Sequence, residues 1–72
     1  MFNYEEVKSA AERARLRLST YNTPDMRDQI VDTALAMGYY LRGTNLHFKF
    51  CNIWLEVFRE DQDMLDLLKK AF

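Results

Sequence analysis

The sequence predicts an all-α fold, a small four-helix bundle-like domain spanning residues 1–72. Three observations carry that expectation. Two glycines and one proline in 72 residues are too few for a multi-stranded fold, which needs several tight turns. Apolar residues recur at helical rather than strand spacing through most of the chain. The pattern breaks at STYNTP (19–24), RGTN (42–45) and REDQD (59–63), which leaves four helical segments.

The first segment runs from about Asn3 to Leu18. Asn3 followed by Glu6 has the spacing of a capping box, an N-cap side chain and a reciprocating acid three residues on. At about 100° per residue, Tyr4, Val7, Ala10, Ala11, Ala14 and Leu18 share one narrow face. Three of these six are alanine, and small side chains let a neighbouring helix approach closely. The second segment opens on Thr23-Pro24-Asp25. Thr23 is suited to the N-cap, Pro24 to the first helical position, and Asp25 to the positive end of the helix dipole. Its stripe is Met26, Ile30, Ala34, Met37 and Leu41, widened by Val31, Leu35 and Gly38. It is expected to end near Arg42, with Gly43 as the residue past the C-cap.

The third segment covers about Asn45 to Arg59. Within it LHFKF (46–50) also alternates with period two, but a lone five-residue strand would have no partner, so helix is the reading. The fourth, about Asp61 to Ala71, is expected to be capped by Asp61. It carries Met64, Leu65, Leu67, Leu68, Ala71 and Phe72 on one side and Asp66, Lys69 and Lys70 on the other. REDQD contains no residue that must break a helix, so a continuous rod through segments three and four is an alternative.

The third segment raises the functional question. Nine of the sixteen residues in GTNLHFKFCNIWLEVF (43–58) are Leu, Phe, Cys, Ile, Trp or Val. On a helical wheel they span roughly 220°, about twice the stripe an ordinary surface helix buries. This helix is therefore either packed on two sides inside the domain or shared with another chain. For the second case the self-association candidates are Phe48, Trp54 and Phe58, each able to bury about 150–250 Å².

Composition excludes several classes. With 49% hydrophobic and 14% aromatic residues, the chain has the means to fold. A net charge of −1 argues against general affinity for nucleic acid. The single cysteine, Cys51, cannot form an intramolecular disulfide and suits a reducing compartment. The start, MFNYEEVKSAAERAR, is charged early and has no apolar stretch typical of a secretory leader. No run reaches the roughly 18 apolar residues of a membrane span. A cytoplasmic chain with no membrane partner is the expectation.

No catalytic, metal or cofactor site is expected. His47 and Cys51 stand four apart, a metal-compatible spacing, but they are the sole His and the sole Cys, and zinc takes three or four protein ligands. A Cys–His nucleophile pair would need an orienting third group and an oxyanion hole. Asp25, Asp28 and Asp32 read as a solvated face matched to the helix dipole rather than a catalytic pair. DQDMLD lacks the glycine and final Glu of a calcium loop. In RARLR, Arg13 and Arg17 lie within about 40° of each other on a helix while Arg15 points nearly opposite, so the run is not one basic stripe. Segments two and three could be read as helix-turn-helix, but the second of them offers Leu, Phe, Trp and Ile rather than groups that read base edges.

Tyr39, Tyr40 and Arg42 fall toward the polar arc of the second segment, and Leu16 interrupts the polar side of the first. Exposed Tyr beside Arg is the composition of an interaction hot spot. The partner-binding candidates are thus Tyr39, Tyr40, Arg42, Leu16, Arg13 and Arg17. The functional expectation is a small non-enzymatic protein-interaction module: an inhibitor, adaptor or accessory subunit that acts by occupying a partner surface. Short, disulfide-free chains of this composition are common among regulators encoded by phages and plasmids. The alternatives are a small dimeric nucleic-acid-binding regulator and a structural homo-oligomer subunit, and dimerisation is the expectation for the favoured reading as well.

Overall fold

The computed structural model describes residues 2–72. Four α-helices follow one another: α1 (Tyr4–Thr20), α2 (Pro24–Gly38), α3 (Leu46–Val57) and α4 (Gln62–Ala71), with a single 3-10 turn at Tyr39–Leu41. No strand occurs among the described residues. The all-α expectation holds, including helix rather than strand over residues 46–50.

Three of the four helix starts are chemically specified. The Asn3 side-chain oxygen accepts from the Glu6 amide at 3.1 Å, and Thr23 Oγ1 accepts from the Met26 amide at 3.1 Å with Pro24 in the first turn. Asp61 Oδ1 accepts from the Met64 amide at 3.1 Å. Each satisfies an amide that has no partner within its own helix. The Asp61 cap also settles the question of a continuous rod. Residues 58–60 turn, Asp61 is extended, and α4 starts anew. At the start of α3 the work falls to Thr44 rather than Asn45. Its hydroxyl donates to the Leu41 carbonyl at 2.7 Å and accepts from the Leu46 amide at 3.2 Å.

The end of α2 departs from expectation. The α-helix stops at Gly38 and tightens into the 3-10 turn rather than continuing to Arg42. Gly38, the last α-helical residue, is also a point of close approach: a β-carbon there would collide with the Phe50 ring of α3, whose Cδ1 would lie 2.8 Å from it. Gly43 does adopt the left-handed backbone expected of it, with φ +82°, and a β-carbon there would meet nothing.

The interior is built around α3. Trp54 is 0% exposed, and Phe50, Phe58, Ile30, Met64 and Leu68 are fully buried with it. The Trp54 and Phe58 rings stack with centroids 6.4 Å apart and 6° between their planes. Phe50 meets Trp54 at 6.3 Å and takes the edge of Phe72, at the end of α4, at 6.2 Å. From α1 come Val7, Ala11, Ala14 and Leu18. The two alanines let α1 lie close against α3, the most extensive helix–helix contact among the described residues. The wide apolar arc of α3 is therefore packed on several sides by its own chain.

That packing corrects two assignments. Trp54 and Phe58 are not available to a self-association seam, because α1, α2 and α4 already enclose them. Phe48 alone of the three remains outside, 72% exposed. Tyr4, placed on the buried face of α1 by its spacing, is exposed instead, because it stands at the first residue of the helix and the packed stripe begins at Val7.

Between α2 and α4 one ion pair reaches across the fold. Arg27 Nη1 lies 3.0 Å from Asp61 Oδ1, and Arg27 Nε donates to Asn22 Oδ1 at 3.2 Å. Burial pushes the Asp61 carboxyl up. The Arg27 hydrogen bond, the Met64 and Asp63 amides and the Arg27 charge outweigh it and hold the group below the usual carboxylate range. No helix among the described residues is long and apolar enough to cross a membrane.

Candidate interaction surface

With the interior closed, the large apolar residues left outside define the surface. They are Tyr4, Leu16, Tyr21, Tyr39, Tyr40, Leu46 and Phe48. Tyr39 is 74% exposed on the 3-10 turn and Leu16 is 63% exposed on α1. Neither α4 nor the 43–45 turn covers the tyrosine pair. Tyr40, half exposed, does make an interaction of its own within the chain.

The six partner-binding candidates do not form one cluster. Arg13, Leu16 and Arg17 line a single groove between α1 and α2, of about 550 Å³, with Ala10 and Ala14 from α1 and Met37 from α2. Glu6 stands at the end of the groove nearer the α1 N-terminus. The opposite direction of Arg15 is as expected: it lines a different depression, with Val57, Phe58 and Asp61. Tyr39 and Tyr40 follow Met37 by two and three residues, so they sit just beyond the groove in the chain. Arg42 belongs elsewhere, since its charge acts on Cys51 of α3.

The two sides of the groove differ in chemistry. Neither the Arg13 nor the Arg17 side chain makes an ion pair or hydrogen bond among the described residues. Glu6 takes part in the α1 cap only as the amide that donates to Asn3 Oδ1, and its carboxylate pairs with neither arginine among the described residues. The result is two uncompensated guanidinium groups on consecutive turns, beside the exposed Leu16.

The other chemically interesting side chains stay apart from this surface. Cys51 Sγ lies 3.6 Å from His47 Nε2. Burial raises the Cys51 thiol, with the Arg42 charge and a backbone hydrogen bond offsetting only part of that. A thiol held protonated is a poor nucleophile. His47 Nδ1 and Trp54 Nε1 are buried without hydrogen-bond partners. No group of three or more His, Cys, Asp or Glu side chains converges among the described residues. A further surface feature had no counterpart in the sequence reading. Tyr4 lines a shallow depression with Lys49, Asn52, Ile53 and Glu56 of α3, a neighbourhood that helical spacing within α1 could not reveal.

No protein-family model, no curated protein and no solved structure matches the chain.

Proposed function

We propose that this chain is a non-enzymatic protein-interaction module, an inhibitor, adaptor or accessory subunit that acts by occupying a partner's surface. One observation carries the reading. The core closes within a single chain, and yet Tyr39, Leu16 and Phe48 lie mostly in solvent. A 72-residue chain has little stability to spare for features that do not serve its fold. Exposed large apolar side chains, with Leu16 standing beside two arginines that are unpaired among the described residues, are the composition of interaction hot spots. The helical scaffold gives such a surface rigid support, which lowers the ordering cost of binding.

The test uses a photo-reactive residue placed at position 39 and, as a control, at position 28 on the acidic face of α2. Irradiation in cells that express the protein should cross-link one partner from 39 and not from 28. With that partner purified, Tyr39→Ala should weaken binding by at least about 1–2 kcal/mol. Its folding stability should stay within about 0.5 kcal/mol, as expected of a surface change. Cross-linking equal from both faces, or affinity unaffected by both Tyr39→Ala and Leu16→Ser, would sink the reading.

A further inference from the structure

The α1–α2 groove narrows the kind of partner, and the step rests on the interaction reading above. We propose that the groove receives an acidic amphipathic helix of a partner protein. Its carboxylates lie against Arg13 and Arg17, and its apolar side chains lie over Ala10 and Ala14 between Leu16 and Met37.

Three properties of the groove point to that occupant. Its floor is alanine, which leaves room for a helix to approach α1 closely; Ala14 is already buried and Ala10 half-buried. From Glu6 to Arg17 the α1 wall rises by about 16 Å, or three helical turns. That is the length over which a helix presents anchors at i, i+3 or i+4, and i+7. Charge is the third property. Among the described residues Arg13 and Arg17 are unpaired; they lie one turn apart, and so match carboxylates spaced four residues apart on a facing helix. Glu6 at the far end disfavours a carboxylate there and sets the direction of the bound segment.

Other occupants fit less well. A nucleic-acid backbone is tracked by several unopposed cations. Here two stand together, Arg15 lines a different depression, and Glu6 lies in the path. A second copy could bring its own acidic face, Asp25, Asp28 and Asp32. Beside those residues, however, α2 exposes Gln29, Thr33 and Ala36, with no large apolar side chain to fill the groove.

The probe is a set of stapled helical peptides of about twelve residues, the length of the groove wall. Each carries Leu at the anchor positions and Glu, Gln or Lys at the flanking pair spaced i, i+4. Binding is read by fluorescence anisotropy. The Glu peptides should bind wild type at least about tenfold tighter than the Lys peptides, and Arg13→Glu/Arg17→Glu should reverse that order. Both arginines are exposed, so the variant should keep the wild-type circular dichroism. Leu16→Ser should weaken all the peptides without changing their order.

Equal binding of the Glu and Lys peptides, or an order that survives the charge reversal, overturns the inference. So does displacement of the Glu peptides by a short DNA duplex with a steep salt dependence, or self-association that the double charge reversal abolishes. A partner that still cross-links from position 39 while the peptides fail would refute the acidic-helix groove and leave the interaction reading standing. Loss of both refutes both.

Discussion

At the residue scale the fold turns on contacts that one-dimensional spacing half reveals. Gly38 was placed correctly on the packed side of α2, but not the reason it must be glycine. That reason lies in Phe50, twelve positions later, whose ring occupies the space a β-carbon would need. In an open helix Gly→Ala stabilises by up to about 1 kcal/mol. Here the collision adds an overpacking cost of about 1–3 kcal/mol, so Gly38→Ala should destabilise the protein. Urea denaturation of Gly38→Ala, Phe50→Leu and the double variant would show it. The double variant should lose less than the sum of the singles, and a stabilising Gly38→Ala would contradict the packing described. Trp54, enclosed on all sides, should cost about 3–5 kcal/mol when cut to Ala. That is enough to leave so small a chain largely unfolded. A folded but merely monomeric Trp54→Ala would return Trp54 to the surface.

At the element scale, capping made the boundaries legible. Asn3, Thr23 and Asp61 were each readable as N-caps from residue type and position, and each accepts the expected amide. The end of α2 was only partly readable: Gly43 takes the positive φ expected past the helix, but no local signal announced the change to a 3-10 turn after Gly38. The division of the candidate surface was only partly readable. Helical phase put Arg13 and Arg17 together and Arg15 opposite, which the two separate depressions reproduce. It could not say that Met37 would form the facing wall, or that Arg42 would lie toward Cys51, since both depend on how helices cross. The Arg27–Asp61 pair is likewise a tertiary fact. It joins the first turn of α2 to the cap of α4 and makes acid stability depend on that junction. Because the Asp61 carboxyl is held below its ordinary value of about 3.9, the folded chain binds fewer protons than the unfolded one in that window. Its contribution is therefore complete above about pH 4 and is lost as pH falls through the folded-state value. Asp61→Asn keeps a capping oxygen but loses the charge. It should lower stability near neutrality by about 0.5–1.5 kcal/mol and flatten the acid limb of a stability–pH curve. An acid limb identical to wild type would remove Asp61 from the account.

At the scale of the whole molecule, the question is whether one chain is enough. The excess apolar arc of α3 offered two answers, an interior helix or a shared one, and spacing alone could not choose, because the cover comes from three other helices. The structure spends Trp54 and Phe58 inside and leaves Phe48 outside. A stable protein–protein interface buries on the order of 800 Å² per partner, several times what one phenylalanine contributes. With two of the three seam residues enclosed, a seam on α3 would rest on Phe48 and its partly exposed neighbour Leu46. The expectation is then a thermal midpoint independent of protein concentration, with light scattering giving the 8.6 kDa mass of one chain over a wide concentration range. An obligate dimer would behave otherwise, its midpoint rising with concentration by mass action. Should it rise, Phe48→Ser distinguishes the two remaining cases. If the substitution abolishes the rise, Phe48 on α3 is the seam and the module acts as a pair. If the rise persists, the contact lies with the tyrosines or the α1–α2 groove, and the surface assigned to a foreign partner is one that copies of the chain occupy themselves.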